Sequence, residues 1–177
     1  MESEQYVSPV LAALSIGVVF AVLIAMLVLE APWAGRVRDF FADRAQLAMF
    51  VVAFTAMASS LYYSEYVKFI PCEFCWLQRI AMYPLAVLLF VALVSRDRLS
   101  PRYILTLAAV GLSLSIYHYQ LQLFPEQKGV CSGLVSCTDR NVAEFVIVSI
   151  PFMAGAGFLT VLLLQLGEYR ARRWRGG

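Results

Sequence analysis

The chain has 177 residues, of which 61% are hydrophobic, and its mean hydropathy is +0.73. Soluble globular chains are about half apolar, so this composition excludes an ordinary soluble domain and indicates a protein of the lipid bilayer. The net charge of +2 says little by itself, and no nucleic acid is expected among the partners.

Five continuous apolar stretches follow one another along the chain, at residues 7–29, 45–63, 76–94, 103–121 and 142–166. Each has close to the roughly 20 residues that a helix needs to cross a hydrocarbon core of about 30 Å. The stretches do not alternate between polar and apolar residues, and a backbone in lipid must satisfy its own hydrogen bonds. The sequence therefore predicts an all-α fold, a polytopic membrane helical bundle.

The first stretch is predicted to be a retained transmembrane helix. The chain begins Met-Glu-Ser-Glu, which lacks the positive region of a signal peptide, and the apolar stretch is long for one. Residues 31–44 then mix aromatic and charged side chains and are predicted to form an interfacial connector. Near the end of the second stretch, Ser59 and Ser60 are small enough for close helix packing.

Positive charge is distributed unequally between the two sides of the predicted bundle. If the five spans alternate, ten arginines lie on one side, namely Arg36, Arg38, Arg44, Arg96, Arg98, Arg102, Arg170, Arg172, Arg173 and Arg175. The other side carries only Lys68, Lys128 and Arg140, together with the acidic start of the chain. By the positive-inside rule, the N-terminus and both loops that contain cysteines are predicted outside, and the C-terminus inside.

All four cysteines fall in these two loops, as Cys72 with Cys75 and Cys131 with Cys137. Disulfides persist outside the cytoplasm, and these two local pairings are the natural ones of the three that four cysteines allow. A bridge across C-x-x-C closes almost no loop and removes little unfolded-state entropy, which favours redox chemistry over a structural role. Structural disulfides and a zinc site built from the four cysteines stay open as alternatives.

Two further side chains are candidates for the same chemistry. The N-terminus of the third span is expected right after Cys75, and its unpaired N–H groups and helix dipole favour a thiolate. Arg79 lies on the same helical face one turn deeper, where an ionisable residue indicates function, although snorkelling to the interface is the alternative. His118, the only histidine, lies near the outer end of the fourth span as a packing residue or a catalyst.

Two motifs carry a resemblance to a known family. Segment 71–79, Pro-Cys-Glu-Phe-Cys-Trp-Leu-Gln-Arg, resembles the P-C-x-x-C-x-x-x-R signature of the DsbB/BdbC family of disulfide-bond-forming membrane proteins, and most closely its BdbC branch. Segment 118–125, His-Tyr-Gln-Leu-Gln-Leu-Phe-Pro ahead of Cys131, is similar to a second stretch of that family. The resemblance covers residues 45–166. It implies a DsbB-like four-helix catalytic domain at 45–177, preceded by an extra transmembrane helix and connector at 1–44.

The resemblance also implies a function and a location. The protein would be a thiol oxidase of the bacterial cytoplasmic membrane that reoxidises an extracytoplasmic DsbA-like thioredoxin-fold protein. It would pass the electrons to a membrane quinone, either ubiquinone or menaquinone; the handover from partner to membrane protein to quinone is the known route of periplasmic oxidation.

Each site residue takes a role from the resemblance. The partner would attack a Cys131–Cys137 disulfide, which Cys72–Cys75 would then reoxidise. Cys75 would react with the quinone. Arg79 would hold the quinone head group, with Gln78 and His118 as further candidates.

Two other functions remain as alternatives at this point. A vitamin K epoxide reductase-like quinone reductase also combines a small bundle with two cysteine pairs, although there the loop pair precedes the C-x-x-C. A non-enzymatic membrane protein with structural disulfides or a metal site is the other. The extra N-terminal span has no role that the sequence indicates.

Overall fold

The computed structural model describes residues 2–31, 33–124, 137, 143–144 and 148–176. Its elements are α1 (Glu2–Val28), α2 (Gly35–Leu61), a π-helical turn (Tyr62–Tyr66), α3 (Glu73–Val94), α4 (Pro101–Leu123), β1 (Ala143–Glu144), β2 (Val148–Ser149) and α5 (Ile150–Gly176). The two short strands pair antiparallel, with Ala143 opposite Ser149. Within the described ranges, five helices are long and apolar enough to cross a membrane, which confirms the predicted helical membrane bundle.

Helix α5 is the centre of the bundle, because α1, α2 and α4 all pack against it. Helix α3 packs against α2 and α4. The core contains fully buried side chains from four helices, such as Phe41, Met49, Leu85, Ile104 and Phe158. Large apolar side chains also cover the outside of the helices, as expected where a helix faces lipid rather than water.

Two glycines allow helices to approach closely. A Cβ atom on Gly111 of α4 would lie 2.2 Å from the ring of Phe158 on α5. A Cβ atom on Gly167 of α5 would lie 2.3 Å from the ring of Phe41 on α2. Small residues at such contacts are typical of membrane bundles, where tight packing rather than a hydrophobic driving force holds helices together.

Charged side chains join the helices at the end of the bundle away from Cys72 and Cys75. Glu168 of α5 is nearly buried and pairs with both Arg98 and Arg172. Both arginines also donate hydrogen bonds to the carbonyl oxygen of Ala42 on α2. Arg175 pairs with Asp39 and Asp43 of α2.

These ion pairs help to explain why one helix begins earlier than predicted. Residues 35–44 of the predicted connector form the first turns of α2, which begins at Gly35. Asp39 and Asp43 pair with Arg175 of α5, and Arg98 before α4 donates to the Ala42 carbonyl oxygen, so the helix extends beyond the predicted apolar stretch. Hydropathy indicates which residues are apolar enough to lie in lipid, but it does not show at which residue a helix begins or ends.

Two other predicted boundaries are also wrong. Helix α3 begins at Glu73 rather than at residue 76. Helix α5 begins at Ile150 rather than at residue 142, since Ala143–Glu144 and Val148–Ser149 are extended strands. Pro151 lies in the first turn of α5, where its missing N–H is not needed for an intrahelical hydrogen bond.

Candidate functional site

Cys72 is the N-cap of α3. Its backbone is extended, with φ −72° and ψ 171°, and its Sγ atom accepts a hydrogen bond of 3.3 Å from the backbone N–H of Cys75. This is the role that Ser or Asp side chains usually play at a helix start. Because α3 begins three residues earlier than predicted, its N–H groups act on Cys72, whereas Cys75 lies inside the first turn. The two Sγ atoms lie 2.7 Å apart, and both cysteines are free thiols.

His118 reaches the same sulfur from α4. Its Nε2 atom lies 3.6 Å from Cys72 Sγ, and its ring packs against Phe74 at 5.6 Å between centroids. The side chain is buried, and its Nδ1 atom has no hydrogen-bond partner among the described residues. The sequence left open whether His118 is a packing residue or a catalyst, and the structure gives it both a packing contact and a contact with a redox cysteine.

The surroundings of Cys72 favour its ionised form. The hydrogen bond from the Cys75 thiol is the largest influence that lowers the pKa of Cys72 below its usual range, and the contact with His118 lowers the pKa further. Burial acts in the opposite direction, but the hydrogen bonds outweigh it. These contacts therefore favour a Cys72 thiolate, and a thiolate is the form of cysteine that attacks disulfides.

Arg79 is held in position by α2. Its Nε atom donates to Ser60 Oγ at 2.8 Å, and its Nη2 atom donates to the Ser60 carbonyl oxygen at 3.0 Å. The guanidinium also lies 5.2 Å from the ring centroid of Trp76. These contacts hold the charge in one place beside the last turn of α2. Sequence reasoning assigned Ser60 to helix packing only, because a serine near a helix end carries no signal for an arginine partner.

A cavity of about 400 Å³ brings the predicted residues together. Its lining includes Cys72, Cys75, Gln78, Arg79 and His118. Gln78 is buried, and its Nε2 atom has no hydrogen-bond partner among the described residues. Most of the remaining lining is apolar and comes from α1, α2 and α5. The cavity has the size and the mixture of apolar walls and few polar groups that small-molecule sites show.

One cysteine of the second pair lies close to the first pair. Cys137 is buried, disulfide-bonded, and part of the same buried cluster as Cys72, Phe74 and Leu121. Cys131 lies outside the described residues, and so does Pro125 at the end of the second motif. The pairing of Cys131 with Cys137 and the role of each remain predictions.

Candidate metal ligands also meet at this site. One ligand atom each from Cys72, Cys75 and His118 lies within 4.8 Å of the others, so the three side chains offer two sulfurs and one nitrogen to a metal ion. The sequence-based alternative used the four cysteines instead. Three protein ligands leave a fourth tetrahedral position open, as in catalytic rather than structural zinc sites.

Comparison with known proteins finds relatives of the part of the chain that contains this site. The family model described as "Disulfide bond formation protein DsbB" matches residues 42–166. The chain is 44% identical to a "Probable disulfide formation protein" of Oceanobacillus iheyensis over 128 residues, which cover 71% of this chain and 88% of that protein. It is 42% identical to "Disulfide bond formation protein C" of Bacillus subtilis over 120 residues, 67% of this chain and 87% of the other. No solved structure shows a significant match.

Proposed function

The chain belongs to the DsbB family of disulfide bond formation proteins, and we propose that it is a thiol oxidase that links an extracytoplasmic DsbA-like thioredoxin-fold protein to a membrane quinone. The observation that carries this proposal is the position of Cys72 and Cys75. The pair lies at the end of a membrane helix and lines a largely apolar cavity that also contains Arg79 and Gln78. The family match favours this function over the vitamin K epoxide reductase-like alternative.

The proposed path moves two electrons and two protons from the partner to the quinone. The partner's dithiol reduces a Cys131–Cys137 disulfide, so that the partner gains a disulfide and the two cysteines become thiols. That dithiol then reduces the Cys72–Cys75 disulfide by the same exchange, through a mixed disulfide. The burial of Cys137 in one cluster with Cys72 supports this order, since the second exchange then needs little movement of the chain.

Cys72 and Cys75 have different roles in the last step. Cys75 is the more exposed of the two residues, and we assign it to react with an electron acceptor in the cavity, which both cysteines line. Cys72 is the more readily ionised, and its thiolate, 2.7 Å away, closes the Cys72–Cys75 disulfide. His118, at 3.6 Å from Cys72 Sγ, accepts the proton that this thiol releases.

The residues that line the cavity fit a quinone. A quinone ring is apolar on its faces and carries two carbonyl oxygens, and the cavity offers apolar walls with the donors Gln78 Nε2 and the Arg79 guanidinium. When bound, a ubiquinone or menaquinone supplies an acceptor for two electrons and two protons. Arg79 is preorganised for this task because Ser60 already fixes its position.

We place the cysteines outside the cytoplasm and the C-terminus inside, in the bacterial cytoplasmic membrane, on the asymmetry of the arginines. Single cysteines introduced at Ser3 and at Arg173 in a background without the native cysteines test this orientation. The first is expected to react with an impermeant maleimide in intact cells and the second only after lysis. Labelling of Arg173→Cys from outside contradicts the orientation.

The function is tested with the purified protein in lipid nanodiscs, without oxygen, and with a reduced thioredoxin-fold protein as the electron donor. We expect one quinol for each disulfide formed in the donor, and no turnover for Cys75→Ser or Cys131→Ser. A donor variant without its resolving cysteine is expected to be trapped on Cys131. Donor oxidation without quinol formation, or trapping on Cys72 instead, contradicts the proposed path.

A further inference from the structure

Helix α1 lies outside the part of the chain that matches the DsbB family model, which starts at residue 42. It is nevertheless part of the cavity wall, since Leu11, Leu14, Ser15 and Val18 line the same space as the cysteines. A role as a membrane anchor alone does not require α1 to border this cavity. Its position therefore bears on what the cavity holds.

Helices α1 and α2 meet at one end and separate toward the other. Where they are connected, Met26 and Leu29 are buried in the core with Phe41, and Arg38 donates to the carbonyl oxygens of Leu29 and Ala31. Helix α1 packs mainly against α5 and makes few contacts with α2. The cavity extends between α1 and α2, and we call this part of it the lateral slit; its walls include Leu14, Ser15, Val18, Val51, Val52 and Thr55.

The lateral slit opens on the outside of the bundle. Leu14 is 53% exposed, Val18 37% and Val51 52%, although all three line the cavity. In a bilayer this opening faces the lipid chains, because these residues lie in helices that are apolar enough to span it. The slit thus connects the lipid to the cavity that contains Cys75.

The named walls of the lateral slit are mostly apolar, with Ser15 and Thr55 as the polar residues among them. Ser15 uses its hydroxyl donor inside its own helix, since Ser15 Oγ donates to the carbonyl oxygen of Ala12 at 2.8 Å. These walls therefore offer few hydrogen-bond donors to a ligand. At the cysteine end, by contrast, Gln78 Nε2 is buried and has no partner among the described residues. The site is therefore polar at that end and mostly apolar along the slit.

We infer that the lateral slit is the binding site for the isoprenoid tail of the quinone, and that α1 determines the preference of this protein for long-tailed over tailless quinones. The inference depends on the proposed function for the identity of the ligand. The apolar slit, continuous with a polar cavity, matches an amphiphile with a polar ring and a long hydrocarbon tail. A small soluble acceptor needs no slit of this kind.

Photolabelling tests the position of the tail independently of turnover. The probe is a polyprenyl quinone with a diazirine on its tail, bound to the reduced full-length protein in nanodiscs, and labelled peptides are identified by mass spectrometry. We expect label in both α1 and α2, and competition by unlabelled long-tailed quinone. A phospholipid with the same diazirine, which labels every lipid-facing surface and is not displaced by quinone, is the control.

Two matched variants of α1 test its part in selectivity. Val18→Phe narrows the lateral slit, whereas Val10→Phe makes the same change on an exposed position that does not line the cavity. We expect Val18→Phe to weaken binding of the long-tailed quinone about tenfold, the loss that follows when about two methylene-sized groups lose their burial. Binding of a tailless quinone, and all binding to Val10→Phe, should change less than about twofold.

The outcomes separate this inference from the proposed function. Label confined to helices other than α1, or equal effects of Val18→Phe and Val10→Phe, overturns the role of α1 even if quinone is reduced. Quinone that labels α1 but is never reduced supports the lateral slit and overturns the oxidase. Failure of any quinone to bind overturns both.

Discussion

Replacement of His118 by Phe is expected to make Cys72 harder to ionise. The phenyl ring keeps the packing against Phe74 but removes the Nε2 atom 3.6 Å from Cys72 Sγ. A hydrogen bond to a charged group stabilises it by about 1.5–3 kcal/mol, and 1.36 kcal/mol corresponds to one pH unit. Because sulfur forms longer and weaker hydrogen bonds than oxygen, the lower limit applies, and the Cys72 titration midpoint should rise by about one pH unit.

The assay is thiolate absorbance at 240 nm in the reduced protein, with Cys131 and Cys137 replaced by alanine so that Cys72 and Cys75 are the only cysteines. The lowered pKa of Cys72 predicts that its thiolate is present at neutral pH and is lost only as the pH falls below the range of an ordinary thiol. Cys72→Ser should abolish this low midpoint, and Gln120→Ala, an exposed change on α4, should leave it unchanged. An unchanged midpoint in His118→Phe would falsify the proposed role of His118 and leave it a packing residue.

Three further changes test the cavity and the bundle. Arg79→Ala should weaken quinone binding about tenfold because a charge-assisted contact is lost, whereas Arg79→Lys should weaken it less because the charge is kept. Unchanged binding across a quinone titration would make Arg79 an interfacial anchor. Gly111→Ala should lower the free energy of unfolding by about 1–3 kcal/mol through overpacking, whereas Gly17→Ala, whose Cβ meets nothing within 4 Å, should not; equal melting temperatures in detergent contradict the packing argument. Glu168→Gln should cost about 1–2 kcal/mol of stability, less than for a fully buried ion pair because its arginine partners are 52% and 40% exposed; no loss of stability would mean that this cluster does not hold the helices.

The helices were predictable because lipid requires long apolar segments, but their ends were not. Residues 35–44 are too charged to be recognised as part of a span, and their helical state depends on arginines more than 50 residues away in the sequence. Residues 143–144 and 148–149 continue an apolar run and still form strands. Hydropathy measures each residue alone, whereas both departures depend on a partner elsewhere in the chain.

The residues of the candidate site were likewise predictable, but the contacts between them were not. The C-x-x-C spacing, Arg79 and His118 were predictable by residue type and by their position near one end of a span. The contact between His118 and Cys72 depends on how α3 and α4 pack, and the contact between Arg79 and Ser60 depends on α2 and α3. The wall formed by α1 had no signal at all, because an apolar helix has the same composition whether it faces lipid or a cavity.

The N-cap position of Cys72 reconciles a thiolate with a membrane protein. A charge in the hydrocarbon core is costly, but at the first residue before α3 the sulfur accepts the backbone N–H of Cys75 and lies at the positive end of the helix dipole. Cys75, less than one turn further along, lines the same cavity as Cys72 from inside the first turn of α3. The pair therefore holds its thiolate at the start of the helix, beside a largely apolar cavity. This is the arrangement that a protein needs if it exchanges disulfides with a soluble partner and delivers electrons to an acceptor dissolved in the bilayer.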